Sequence, residues 1–256
     1  MIETFTALLF AHVLADFLFQ TGWINANKRR PGVMLLHGAI VLVTAQAALG
    51  QLAAPGLLAL ALAHMLIDSA KALGRFTGLG AFLADQAAHL ASLAALALWA
   101  PGLWAQGAWA ALLPPGGAAL LLHAMALVAG LVVALRAGDF AIRALMAGHA
   151  MPGPAPPGPA TATADTALAS PDEPGLPGGG RTIGHLERLL VFVLVLAGQI
   201  TAIGFLVAAK SILRFGSIAD DRRATEYVII GTLASFGWAI TVALATQTLR
   251  AALPGP

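Results

Sequence analysis

The chain has 256 residues, of which 59% are hydrophobic and only 10% charged, against roughly 45–50% and 25% in soluble domains. So few polar side chains cannot cover a 26.0 kDa protein in water, so most of its surface must face lipid and an ordinary cytosolic globule is excluded. The absence of Cys removes disulfides, thiol nucleophiles, Cys-ligated zinc and iron–sulfur clusters, and a net charge of +2 resting on loop cations offers no face for nucleic acid.

Long Ala/Leu-rich runs without period-two alternation predict an all-α fold, a polytopic transmembrane helix bundle. The first span is expected over Ile2 to Trp23, followed by a short basic loop from Asn25 to Gly32 that carries Lys28, Arg29 and Arg30. Met1 to Phe10 lacks a basic leader and no small-residue cleavage site precedes the loop, so this helix is expected to be retained. Further spans are expected over Val33 to Leu49, Leu57 to Leu73, Leu79 to Trp99 and Gly117 to Arg136. Leu103 to Leu113, with Trp104 and Trp109, is too short to cross and is assigned to the membrane interface. An amphipathic extension reaches His149. Met151 to Gly180, rich in Pro, Gly, Ala and Thr, is expected to be a disordered cytoplasmic linker. Two more spans, Leu189 to Ala209 and Tyr227 to Leu249, complete the pattern. The expected organisation is a four-helix core over 1–100, an interfacial segment, fifth span and extension over 101–150, a linker over 151–182 and a C-terminal module of about two helices over 183–256.

Cations follow spans one, three and five, which puts the N-terminus outside and the Lys28 loop and the linker in the cytoplasm. The four cations between Lys210 and Glu226 conflict with this count: a sixth segment that crosses would leave them outside. Either that segment is re-entrant or a span is miscounted.

In the first hundred residues the only carboxylates besides Glu3 are Asp16, Asp68 and Asp85, and each stands four positions from a histidine: His12/Asp16, His64/Asp68 and Asp85/His89. Four residues is neighbour spacing on a helix. Ala11-His12 to Asp16 also matches Ala63-His64 to Asp68, and His37 and His89 each follow 25 residues later, so spans one and two are read as a helical hairpin duplicated in spans three and four. At about 1.5 Å per residue these groups lie roughly 6–18 Å inside the cytoplasmic ends of their helices, where an unpaired Asp costs roughly 2.5–3.5 kcal/mol.

Imidazole and carboxylate together form a divalent-metal ligand set, with Zn first and Mn or Fe as alternatives. The expected ligands are His12, Asp16, His37, His64, Asp68, Asp85 and His89, with Asp16, Asp68 and Asp85 also candidates for catalytic roles and Gln20 for orienting a ligand from behind. A proton or ion path and purely structural His–Asp pairing remain alternatives. Gln86 is read as structural on another face, His123 as packed or interfacial, His149 and His185 as solvated, and Gly231, Ser235 and Ala239 as a small-residue packing stripe.

The run Ala11-His12 to Asp16-Phe17 with Gln20, then Asn27-Lys28, His37, His64 to Asp68, and Asp85-Gln86 with His89 resembles a bacterial family of integral membrane proteins catalogued as a domain of unknown function. Gly184 to Phe236, with Glu187-Arg188, Lys210-Ser211 and Glu226-Tyr227, resembles a C-terminal extension of some members. The scattered His/Asp pattern is also distantly similar to predicted membrane-bound metal-dependent hydrolases, without their further His-Arg and Thr-His elements. The resemblance implies a bacterial inner-membrane protein and raises hydrolysis of a membrane-proximal phospholipid or phosphoester, with the bilayer as partner and a homo-oligomer as an option. A transporter using the same polar seam is the rival, and a structural or regulatory scaffold the third reading.

Overall fold

A computed structural model of the chain describes residues 1–149, 178–215 and 222–255. The described residues are helical and include no strand. The linker expected over Met151 to Gly180 falls outside them, except that Gly178 forms a turn and Gly179 already begins a helix.

Six helical segments are long and apolar enough to cross a membrane: Ile2–Phe19, Pro31–Leu49, Pro55–Gly74, Gly78–Trp99, Gly117–Ala147 and Thr225–Ala251. The first consists of α1 (Ile2–Leu14) and a π turn, Ala15–Phe19, closed by the Gln20 N–H donating to Ala15 O at 2.9 Å. It stops there, short of the expected Trp23. Thr21 caps a separate short helix, α2 (Gly22–Asn27), by accepting from the Ile24 N–H, so part of the expected loop is helical. Pro31 and Pro55 open α3 (Pro31–Leu49) and α4 (Pro55–Gly74), in the first turn where a missing N–H costs nothing. After α5 (Gly78–Trp99) comes α6 (Ala108–Leu112), and then α7 (Gly117–Val132) runs through a second π turn, Val133–Ala137, into α8 (Gly138–Ala147). The expected fifth span and its extension are thus one helical run.

The expected Leu189 to Ala209 span is broken in two. Gly198, at φ +71°, reverses the chain after α9 (Gly179–Leu196), donating to Val195 O at 3.0 Å while the Gln199 N–H reaches Leu194 O at 2.8 Å. Only glycine adopts this conformation without strain, so hydropathy summed across it joined two shorter helices. The second piece, α10 (Ile200–Phe215), packs on α9, and α11 (Arg222–Ala251) supplies the last candidate span.

By contacts the chain divides into two compact units, Met1–Val133 with Leu244–Pro256, and Ala134–Ala243. In the first, α1 packs on α3, α3 on α4, α4 on α5 and α5 back on α1, closing a four-helix ring, with α7 also against α1. The ring's core is apolar toward the Met1 end: Ala7, Leu8, Leu49, Leu57, Leu96 and Trp104 are buried in one cluster. Trp104 packs within this core. Its loop is fixed by the Met1 ammonium and Thr4 Oγ1 donating to Pro101 O, by the Trp104 N–H donating to Thr4 Oγ1, and by the Gln51 amide donating to Leu103 O. Gly107 lies so close to Leu49 O that a Cβ there would collide with it, which lets the Trp109 indole donate to Ala47 O at 2.7 Å.

In the second unit Ser235, Ala239 and Ala243 are buried on α11, and a Cβ at Gly231 would make ordinary contact with Met146. The small-residue stripe is a packing face here.

Candidate metal centre

Each helix of the ring brings one histidine to its interior: His12 on α1, His37 on α3, His64 on α4 and His89 on α5, all at most 4% exposed. Asp16 lies in the π turn at the end of α1, Asp68 one turn beyond His64, and Asp85 one turn before His89. The widened π turn carries one extra residue, a device that recurs at functional sites because it re-aims side chains. All seven expected residues fall in three overlapping triads, His12/Asp16/His64, His37/His64/Asp68 and Asp68/Asp85/His89, each with three ligand atoms within 4.8 Å of one another.

The tightest part is a group of four. His37 Nε2 and His64 Nε2 are 3.1 Å apart. Asp16 Oδ1 lies 3.3 Å from His37 Nε2 and 3.2 Å from His64 Nε2, and Asp68 Oδ2 lies 3.2 and 3.6 Å from the same two atoms. Ligands about 2.0–2.2 Å from a tetrahedral ion are separated by about 3.3–3.6 Å. The His37/His64/Asp68 triad, with edges of 3.1, 3.2 and 3.6 Å, comes close to that spacing, so these residues could hold a divalent ion.

Several polar atoms around this group are buried without a hydrogen-bond partner: both ring nitrogens of His12, His89 Nε2, His37 Nδ1, Asp16 Oδ1 and Asp85 Oδ1. Asp16 Oδ1 is close to two imidazole nitrogens yet aligned with neither as a hydrogen bond. Buried polar atoms without partners are costly, and nitrogen and oxygen ligands gathered this closely could share a cation. His12 and His89 stack with ring centroids 5.1 Å apart, while His89 Nδ1 is 2.9 Å from the Asp85 carbonyl oxygen.

Two lysines meet the cluster from the end opposite Trp104. Lys28 Nζ donates to Asp68 Oδ2 at 2.7 Å and Lys71 Nζ to Asp85 Oδ2 at 2.9 Å, with Gln86 donating to the same Asp85 oxygen at 3.1 Å. Lys28 is expected from the sequence only as a loop cation and Gln86 on another face, yet both reach the cluster's carboxylates. Lys71, one helical turn past Asp68, carried a usable signal, whereas Lys28 reaches Asp68 only through the tertiary fold. Gln20, expected behind Asp16, donates to Asn25 Oδ1 at 3.3 Å and has its own carbonyl oxygen buried and unpartnered. The π turn breaks the simple helical spacing that joined it to Asp16. His123 lies 3.0 Å from Pro254 O, His149 is exposed, and His185, expected to be solvated, pairs with Asp139 at 2.7 Å.

No curated protein and no solved structure matches the chain. Residues 4–113, which contain all seven side chains of the cluster, match the family model described as "Protein of unknown function (DUF3307)", and this stretch is similar to a domain to which no activity is attached.

Proposed function

We propose that the chain is a bacterial inner-membrane protein whose ring of helices α1, α3, α4 and α5 holds one or two divalent ions, zinc first, for hydrolysis of a membrane-proximal phosphoester or phospholipid. The observation that carries the reading is that carboxylate oxygens of Asp16 and Asp68 both lie 3.2–3.6 Å from His37 Nε2 and His64 Nε2. His12, Asp85 and His89 extend this group to a volume suited to a second ion. A bound ion with an open position would supply a water whose pKa falls from about 15.7 toward 7. One of Asp16, Asp68 and Asp85 would serve as the base in place of a ligand.

One-sidedness favours an enzyme over a conducting pathway. Above His12 and His89 the ring is filled by Leu8, Leu49, Leu57 and Leu96, whereas Lys28, Lys71 and Gln86 line the opposite end. Among the described residues, the lysines that reach the cluster come from the Lys28 end, which we read from the loop cations as cytoplasmic, with the N-terminus outside. The α9–α10 pair, broken at Gly198, is read as re-entrant.

Elemental analysis of the purified full chain, beside His37→Ala/His64→Ala, tests the centre: one or two equivalents of metal are expected in the first and none in the second. Metal-free wild-type protein would overturn it. Phosphoester hydrolysis that disappears on metal stripping and returns on reloading supports the reaction. Gradient-driven metal flux in proteoliposomes without hydrolysis would replace the enzyme by a transporter.

A further inference from the structure

The second unit holds a cavity of about 200 Å³ between α8, α9, α10 and α11. Four cations line it, Arg143, Arg181, Arg188 and Lys210, against two carboxylates, Asp139 and Glu187, a formal surplus of two positive charges. Both carboxylates are already matched. Asp139 accepts from Arg188 Nη2 and, at 3.3 Å, from Arg181 Nε, and Glu187 accepts from Lys210 Nζ at 2.8 Å. Among the described residues that line the cavity, no further carboxylate offsets the surplus.

Arg188 is a built feature. It is 3% exposed, its Nη1 donates to Ser235 Oγ and its Nη2 to Leu135 O, both at 3.3 Å. Leu135 lies in the second π turn, where the helical ladder is interrupted and a carbonyl is free to accept. Two glycines keep space for the side chain: a Cβ at Gly138 would stand 3.1 Å from Arg188 Cδ, and one at Gly184 would stand 3.3 Å from Arg188 Nη1. The remaining donor, Arg188 Nε, is buried without a partner. Arg143 spends its Nε on the Asp139 carbonyl at 3.1 Å and has its guanidinium over the Phe140 ring.

We propose that this cavity binds a phosphate-type oxyanion, a phosphate monoester or diester, with Arg188 as the buried anchor and Arg143, Arg181 and Lys210 around it. Guanidinium forks match the paired oxygens of such a group, and Ile142, Met146 and Val228 give the rest of the lining an apolar character suited to the organic part of an ester. The group can come from a lipid headgroup or from free phosphate. The assignment is independent of the His/Asp centre.

The full chain in phosphatidylcholine nanodiscs is tested in two arms, titration with inorganic phosphate and replacement of part of the lipid by phosphatidylglycerol, read by thermal stability and by lipid retained in native mass spectrometry. At least one arm is expected to bind, and the arm that responds names the source. Arg143→Gln and Arg181→Gln, both at exposed positions, should each weaken binding about tenfold, the value of one charge-assisted hydrogen bond. Arg188→Lys should abolish it, and if that variant fails to fold the two exposed variants decide. No binding in either arm, or undiminished binding in Arg143→Gln/Arg181→Gln, would overturn the site.

Discussion

Lys28→Met separates the two cations that can neutralise Asp68. Lys28 Nζ lies 2.7 Å from Asp68 Oδ2, with the two side chains 12% and 3% exposed. Removing one partner of a buried ion pair costs about 3–5 kcal/mol, because the other charge is left uncompensated. A divalent ion on Asp68 supplies that compensation itself, so the metal-loaded variant should lose little more than one hydrogen bond, about 1 kcal/mol. Around the thermodynamic cycle the remaining 2–4 kcal/mol, roughly, reappears as metal affinity, about 30- to 1,000-fold tighter binding in the variant. The assay is competition against a chelator on stripped protein, together with melting curves at rising metal concentration. The variant should melt well below wild type without metal and close to it with saturating metal. Equal or weaker metal affinity in Lys28→Met would refute the reasoning and make the lysine a support that orients Asp68 for the ion.

Two further perturbations address the framework. Leu8→Ala removes a fully buried side chain from the apolar seal between the cluster and the Met1 end, and should cost about 2–5 kcal/mol in detergent unfolding while metal content stays at the wild-type value; metal loss from a folded Leu8→Ala would mean that seal and site are one structure. Gly198→Ala forces a Cβ into φ +71° and should cost about 1–2 kcal/mol, seen as faster limited proteolysis of the segment joining α9 to α10. Unchanged proteolysis would show that a single helix through Gly198 is accessible.

Helix class, most helix boundaries and the seven polar residues were legible in the sequence for one physical reason. Lipid leaves little room for charge, so three aspartates at helical spacing from histidines stand out against an apolar background, and Pro31 and Pro55 mark helix starts by local sterics alone. What depended on backbone conformation or on residues far apart in the chain was not legible. The π turn at Ala15–Phe19 detached Gln20 from the face of Asp16, and one glycine at positive φ split an apolar run that hydropathy averages into a span. That Thr4 and Gln51 hold the Trp104 loop over the core was likewise a matter of residues far apart in the chain. Only the tertiary structure decided that four histidines from four helices share one interior, that Lys28 crosses forty residues to meet Asp68, and that the polar cluster is sealed at one end and lined by lysines at the other. Spacing along a helix is set locally, whereas the meeting of helices is set by which of their faces pack together.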